Sequence, residues 1–277
     1  MADLPTSPEH DELLALAERL AREAGDLLLA GIDGLRVDVS TKTSGTDMVS
    51  EMDRASEIHI VEGILAARPD DSILGEETGG RQGTSGVRWV IDPLDGTTNY
   101  LYRHPVWAVS IGVEVDGAAV AGVVAAPGLH EVFTAVRGGG ARLNGDPIAV
   151  SGATDLASAL VGTGFGYSAR RRGRQAAVLP HLLPVVRDIR RYGVAALDLC
   201  WVACGRLDGY FEAGGQPWDV AAGLLIAAEA GAAVSGLDGG PVAPESVMVA
   251  APGVAAALFE LLIGAGAASA LIEEVDV

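Results

Sequence analysis

The sequence predicts an α/β protein whose N-terminal half is α+β. Three observations predict it. Residues 8–68 carry apolar residues at helical spacing, and residues 72–136 break into short strand-type runs separated by turn residues. From about residue 151 onward, strand and helix patterns alternate. Two halves are expected, residues 1–150 and 151–277, with no long linker and no internal repeat between them. A cleft between such halves is a usual position for a site.

The elements follow in order. Ser7-Pro8 suits a helix start, with proline at the first helical position. Leu13, Leu14, Ala17, Leu20, Ala24, Leu27 and Leu28 then recur on one helical face, and Gly31 and Gly34 close the segment. A short strand at 37–39 and a polar loop over 40–46 precede a second helix, from about Asp47 to Arg68, stopped by Pro69. Strands are expected at 72–74, 88–91, 106–115, 119–126 and 131–136, with turns at Gly117 and Pro127-Gly128. Asn144-Gly145 is a hairpin signal. The second half reads as strand 159–164, helices 174–186 and 193–205, strand 208–212, helix 219–230, strand 246–250 and helix 254–263. The apolar stretch 247–272 is no membrane span: Pro252, Glu260 and its glycines fit a strand, a turn and a helix.

Composition narrows the function. The chain has 277 residues, 49% of them hydrophobic, and a formal net charge of −18. That charge argues against a protein that coats a nucleic-acid backbone. The first residues, MADLPTSPEHDE, have no basic segment followed by an apolar one, so a cytoplasmic location is expected. Cys200 and Cys204 are four apart on an expected helix and read as buried reduced thiols. The histidines at 10, 59, 104, 130 and 181 have no metal-ligand spacing.

Chemistry concentrates in acids. In Val90-Ile91-Asp92-Pro93-Leu94-Asp95-Gly96-Thr97-Thr98-Asn99-Tyr100 a buried-type strand runs into a turn that places two carboxylates three residues apart. Such a pair repels itself unless a cation sits between. Gly96 and Thr97 then offer backbone N–H groups and a hydroxyl, the makings of an anion site. Carboxylates for a hard cation beside donors for an anion are what metal-assisted phosphoryl transfer needs. Mg²⁺ takes oxygen ligands and is commonly held by one or two carboxylates plus substrate phosphate. Two ions about 4 Å apart can share one carboxylate, and Asp92 is the natural bridge.

Three other acidic clusters are weaker taken singly. In Asp47-Met48-Val49-Ser50-Glu51-Met52-Asp53, Asp47 suits a helix cap, and Asp53 is either functional or solvent-facing. Gly75-Glu76-Glu77 is an acidic turn after a strand. Asp219, after Pro217-Trp218, suits a helix N-terminus. The only lysine, Lys42, precedes the acidic helix. Leu94-Asp95-Gly96-Thr97 looks like the tail of a haloacid-dehalogenase motif, but Pro93 stands where the nucleophilic Asp would be, which argues against a phospho-aspartyl mechanism. Gly162-Thr163-Gly164-Phe165-Gly166 is neither a dinucleotide fingerprint nor a P-loop and reads as a close-packed turn. The arginines at 170, 171, 172 and 174 read as a solvated turn or helix start.

Together the clusters resemble the inositol monophosphatase family. Its motifs D-x-V-[TS]-x-x-D, G-E-E, W-[IV]-[IV]-D-P-[IL]-D-G-T-x-N-[FY] and W-D-x-A-A-G are matched in order by 47–53, 75–77, 89–100 and 218–223. GTGFGYS and VRDIRRYGVAALDLC resemble its actinobacterial, SuhB-like branch most. The resemblance implies a layered αβαβα sandwich of the inositol monophosphatase / fructose-1,6-bisphosphatase superfamily, a homodimer, and lithium-sensitive hydrolysis of a small phosphate monoester with two to three Mg²⁺ per subunit. It implies Glu76, Asp92, the Leu94 carbonyl, Asp95 and Asp219 as metal ligands. Asp53 and Thr97, with Glu76, would orient and activate water. The Gly96 and Thr97 amides would hold phosphate, and Glu212, Ala195 and Lys42 would contact substrate. Val194 departs from the G-[ST]-A-A that many relatives have, which leaves the alcohol open. Inositol 1-phosphate leads. Histidinol phosphate, fructose 1,6-bisphosphate and 3′-phosphoadenosine 5′-phosphate are rivals, and a non-catalytic regulator is the reading from another class.

Overall fold

The computed structural model describes residues 7–32 and 44–268. Helix α1 (Pro8–Ile32) starts as expected, with Ser7 Oγ accepting from the Glu9 amide at 3.2 Å. Its buried stripe is Leu13, Ala17, Leu20, Ala24 and Leu28. Helix α2 (Ser44–Ala67) begins earlier than expected, so Asp47 lies within its first turn rather than at its start. The strand expected at 37–39, Gly34 and Lys42 lie outside the described residues.

Then come β1 (Ser72–Gly75), β2 (Gly79–Arg81), β3 (Val87–Asp95), the short helix α3 (Thr97–Leu101), β4 (Ala108–Val115), β5 (Ala118–Ala126), β6 (Glu131–Val136), β7 (Gly140–Leu143) and β8 (Asp146–Ile148). These strands form one sheet in the order β2-β1-β3-β4-β5-β6-β7-β8, parallel only between β1 and β3. The expected Asn144-Gly145 hairpin joins β7 to β8, with both residues at positive φ.

The second half holds β9 (Leu160–Thr163), α4 (Ala169–Ala176), α5 (Leu179–Leu182), β10 (Asp188–Arg190), α6 (Ala195–Ala203), β11 (Gly209–Ala213), α7 (Pro217–Glu229), β12 (Ala233–Ser235), β13 (Ser246–Ala250) and α8 (Pro252–Gly264). Its sheet runs β10-β9-β11-β13-β12. The helix expected over 174–186 is instead two short ones. Pro180 sits in the first turn of α5, where its missing N–H is harmless; inside a continuous helix it would break the ladder. The short strands β2, β10 and β12 were not expected from the sequence, and β3 continues past Pro93 to Asp95 through a register shift rather than ending at Asp92.

Three buried clusters make this a five-layer αβαβα stack. On one face of the large sheet, Trp89, Ile91, Val109, Ile111 and Val113 pack with the buried stripes of α1 and α2. The opposite face meets α6 and α7, which in turn pack on Tyr210, Val247 and Val249 of the small sheet. The alternate residues Phe211, Met248 and Ala250 face α5 and α8. Strand alternation of period two thus decides which layer each side chain joins.

Helix α7 lies very close to the large sheet. A Cβ at Gly112 would stand 2.8 Å from the Ala221 Cβ, and one at Gly122 would stand 3.0 Å from the Ala222 carbonyl oxygen. The small residues of the Trp218–Gly223 motif are therefore a packing requirement as well as a signature. Gly112→Ala is expected to lower unfolding stability by about 1–3 kcal/mol, the usual cost of overpacking, read as the urea midpoint. An unchanged midpoint would contradict this contact.

Candidate active site

Four segments meet between the two sheets. β3 delivers Asp92 and Asp95, the turn after β1 delivers Glu76, the start of α7 delivers Asp219, and β11 delivers Glu212. With Leu94, Gly96, Thr97, Ala195 and Val194 they line one cavity of about 210 Å³. Asp53 of α2, only 3% exposed, does not line the cavity but lies close enough to Glu76 and Asp92 to feel their charge. Of the predicted site residues, the cavity is lined by all but Asp53, which lies buried next to it, and Lys42, which lies outside the described residues.

Backbone groups fix the acids. Asp92 is 2% exposed, and its Oδ1 accepts from the Leu94 amide at 3.0 Å. Asp95 Oδ2 accepts from the Ala196 amide at 2.8 Å, so an acid of one half caps helix α6 of the other. Asp219 Oδ2 accepts from the Gln216 amide at 2.7 Å in a capping box. The bland reading of Asp219 as a helix-terminal acid thus holds alongside its place in the cavity. Thr97 Oγ1 donates to the Leu94 carbonyl at 3.1 Å. Gly96 has φ 93°, and a Cβ there would stand 2.8 Å from Val194 Cγ2, so the turn needs glycine for both conformation and space.

The electrostatics are those of a site with unbalanced negative charge. Burial, then repulsion from Glu76, Glu77 and Glu57, pushes Asp53 up to about 8. Glu76 opens to the cavity, yet partial desolvation and Asp219 push it up to about 7, while a hydrogen bond with Asp92 pulls the other way. Asp92 and Asp95 are held well above the carboxylate range, first by burial and then by the acids around them. Burial also raises Asp219, and it raises Glu212 to about 6 against a hydrogen bond from Tyr210 and the field of Arg191.

These residues fit hard cations. The donor set is all oxygen, and the buried Asp53 Oδ1 has no hydrogen-bond partner. Among the described residues, no three acids stand close enough to grip an ion unaided. Cations here would complete their coordination with water or substrate oxygen, as Mg²⁺ commonly does.

Several lining residues escaped sequence reading. Gly164 and Gly166, read as a close-packed turn, and Arg171, read as solvated, border the cavity. So do Arg191, Tyr210 and the buried Asp198. Tyr210 donates its hydroxyl to Glu212 and sets that carboxylate's direction. The usable signal for Asp198 was an acid inside the very apolar Ala195–Ala203.

An αβαβα sandwich with an acid-lined cavity between its sheets, fed by helix N-termini and strand ends, defines the class: the inositol monophosphatase / fructose-1,6-bisphosphatase superfamily fold. The chain belongs to the inositol monophosphatase family, whose model matches residues 9–269. It is 44% identical to inositol-1-monophosphatase SuhB of Mycobacterium tuberculosis, over 93% of this chain and 96% of that protein. It is 42% identical to the Nus factor SuhB of Escherichia coli, over 82% and 86%. The structure of inositol monophosphatase from Anabaena superposes with a TM-score of 0.82 at 36% identity, covering 92% of this chain and 96% of that one.

Proposed function

We propose that this protein is a Mg²⁺-dependent phosphomonoesterase that hydrolyses inositol 1-phosphate to inositol and phosphate. The observation that carries the reading is the cluster of acids Asp53, Glu76, Asp92, Asp95 and Asp219 beside the Gly96–Thr97 turn, of which Asp53 and Asp92 are buried and all are pushed above the usual carboxylate range. A phosphate monoester adds about two further negative charges, so such a cavity takes it up only with cations present. In this reading Glu76, Asp92, the Leu94 carbonyl, Asp95 and Asp219 hold two to three Mg²⁺. Bound there, Mg²⁺ lowers the pKa of water and neutralises charge on the phosphoryl and leaving oxygens.

The protein's own groups do the rest. Asp53, Thr97 and Glu76 orient the attacking water and draw off its proton. The amides of Gly96 and Thr97 hold the phosphate oxygens. The water oxygen bonds to phosphorus, the ester P–O bond breaks, and the leaving alkoxide takes up the proton that the acids drew from the water. Glu212, held by Tyr210, accepts from hydroxyls of the leaving alcohol, with Ala195 and Lys42 as further substrate contacts. The full reading includes a cytoplasmic homodimer inhibited by lithium. Among the described residues no helix is long and apolar enough to cross a membrane.

A second reading is favoured by the Escherichia coli relative named a Nus factor: the chain serves a macromolecular partner, with or without hydrolysis. The net charge of −18 makes protein a better partner than nucleic acid backbone.

The test is phosphate release from D-myo-inositol 1-phosphate, histidinol phosphate, fructose 1,6-bisphosphate and 3′-phosphoadenosine 5′-phosphate, each with and without Mg²⁺. Preference for the inositol ester is expected. Preference for another ester would keep the chemistry and revise the pocket around Val194 and Glu212. Release from none would promote the second reading.

A further inference from the structure

We infer that Glu57 is a positioning residue that latches the Glu76 turn to helix α2 and so sets the affinity for divalent cation. The inference rests on the metal reading above. Glu57 lies one helical turn after Asp53, and its side chain is fully buried at 0% exposure. Its carboxylate reaches across to the segment that follows β1. One oxygen accepts from the Glu77 amide at 2.7 Å; the other accepts from the Thr78 amide at 2.9 Å and also from the Thr78 hydroxyl. A side chain at Gly75 would overlap this carboxylate, so glycine there makes room for it. Arg54, also on α2, adds an ion pair to Glu77 at 3.6 Å. From the other side, the Glu76 amide donates to the Ile91 carbonyl at 3.3 Å, tying the same turn to β3 just before Asp92.

The consequence is mechanical. A free turn lets Glu76 wander, and an ion held by a wandering ligand is held weakly. Charge-assisted bonds from two successive amides fix the backbone just after the Glu76 side chain, and the bond of the Glu76 amide to Ile91 fixes it just before. They also couple Asp53 and Glu76, which come from different elements, into one unit. A packed buried acid with no contact to the cavity serves geometry, as the hydrogen-bonding partners of metal ligands do elsewhere, where their loss costs about 10–100-fold in metal affinity.

The test is calorimetric titration of Mg²⁺ into wild type, Glu57→Gln, and Asp71→Asn as a control. Asp71 is another buried acid near β1, bonded to Arg68, Ser85 and Trp89, away from the cavity. Both variants are expected to lower Tm. Glu57→Gln is expected to weaken Mg²⁺ binding about tenfold or more, and Asp71→Asn by less than about twofold, since it touches no part of the Glu76 turn. Unchanged affinity in Glu57→Gln, or equal loss in both variants, overturns the inference. If Glu57→Gln does not fold, Thr78→Val decides: it removes one donor to Glu57, and a loss of about two- to fivefold is expected, while wild-type affinity overturns the inference. A wild-type protein that takes up no Mg²⁺ overturns the metal reading itself, and this inference with it.

Discussion

Asp92→Asn is expected to abolish Mg²⁺-dependent phosphate release, by on the order of 10³-fold or more, the scale on which a single preorganised electrostatic group acts. Asp92 is only 2% exposed, sits at the register shift of β3, and faces Asp95, Glu76, Asp219 and Asp53 together. In the proposed reading it is the carboxylate that serves two ions. The substitution is nearly isosteric, and the asparagine Oδ1 keeps the bond from the Leu94 amide, so the fold should survive. Removing an acid that its neighbours repel should leave the metal-free protein as stable as wild type or more so. Loss of activity together with loss of fold would contradict this account. If a partner-binding role exists alongside hydrolysis, it should persist in the same variant.

The second large effect concerns pH. Asp53 is pushed up to about 8 and Glu76 to about 7, with Asp92 and Asp95 also raised. In the metal-free folded state these groups keep protons that the unfolded chain releases near pH 4. A raised carboxyl contributes stability below the unfolded value and loses it as pH climbs through the folded value. Stability of the metal-free protein should therefore fall between pH 5 and pH 8, by several kcal/mol, or a Tm drop on the order of 10 °C. Mg²⁺ should reverse most of the loss at pH 8, because bound cation replaces the missing protons. Thermal unfolding in EDTA and in Mg²⁺ across this range checks both. A metal-free Tm that rises toward pH 8 would mean the acids are already balanced by something else.

How far the sequence could be read depended on distance along the chain. Asp92, Asp95, Gly96 and Thr97 were legible because one turn carries them all, and β3 and α3 deliver them without help from elsewhere. The helical stripe of α1 was legible by its spacing, and β4 to β6 as near-continuous apolar runs bounded by turn residues, because both faces of the large sheet are covered. What failed was what only packing decides. The Asp95 cap on α6 joins residues 101 positions apart, and nothing local announces it. Arg191, Tyr210 and Asp198 reach the cavity only because the small sheet and α6 close over it. The three-residue strands β2, β10 and β12 are too short to show alternation and exist by pairing with longer neighbours. Glu57 had a visible signal, an acid four residues after Asp53 on one helix face, but its meaning depends on where the Glu76 turn lands.

The most direct test of the central claim is phosphate release from D-myo-inositol 1-phosphate by the purified protein as Mg²⁺ is raised from an EDTA-treated baseline. The account predicts no release at baseline, a saturable rise with Mg²⁺, and no rise in Asp92→Asn. Release that is undiminished in EDTA, or equal in Asp92→Asn, would contradict it.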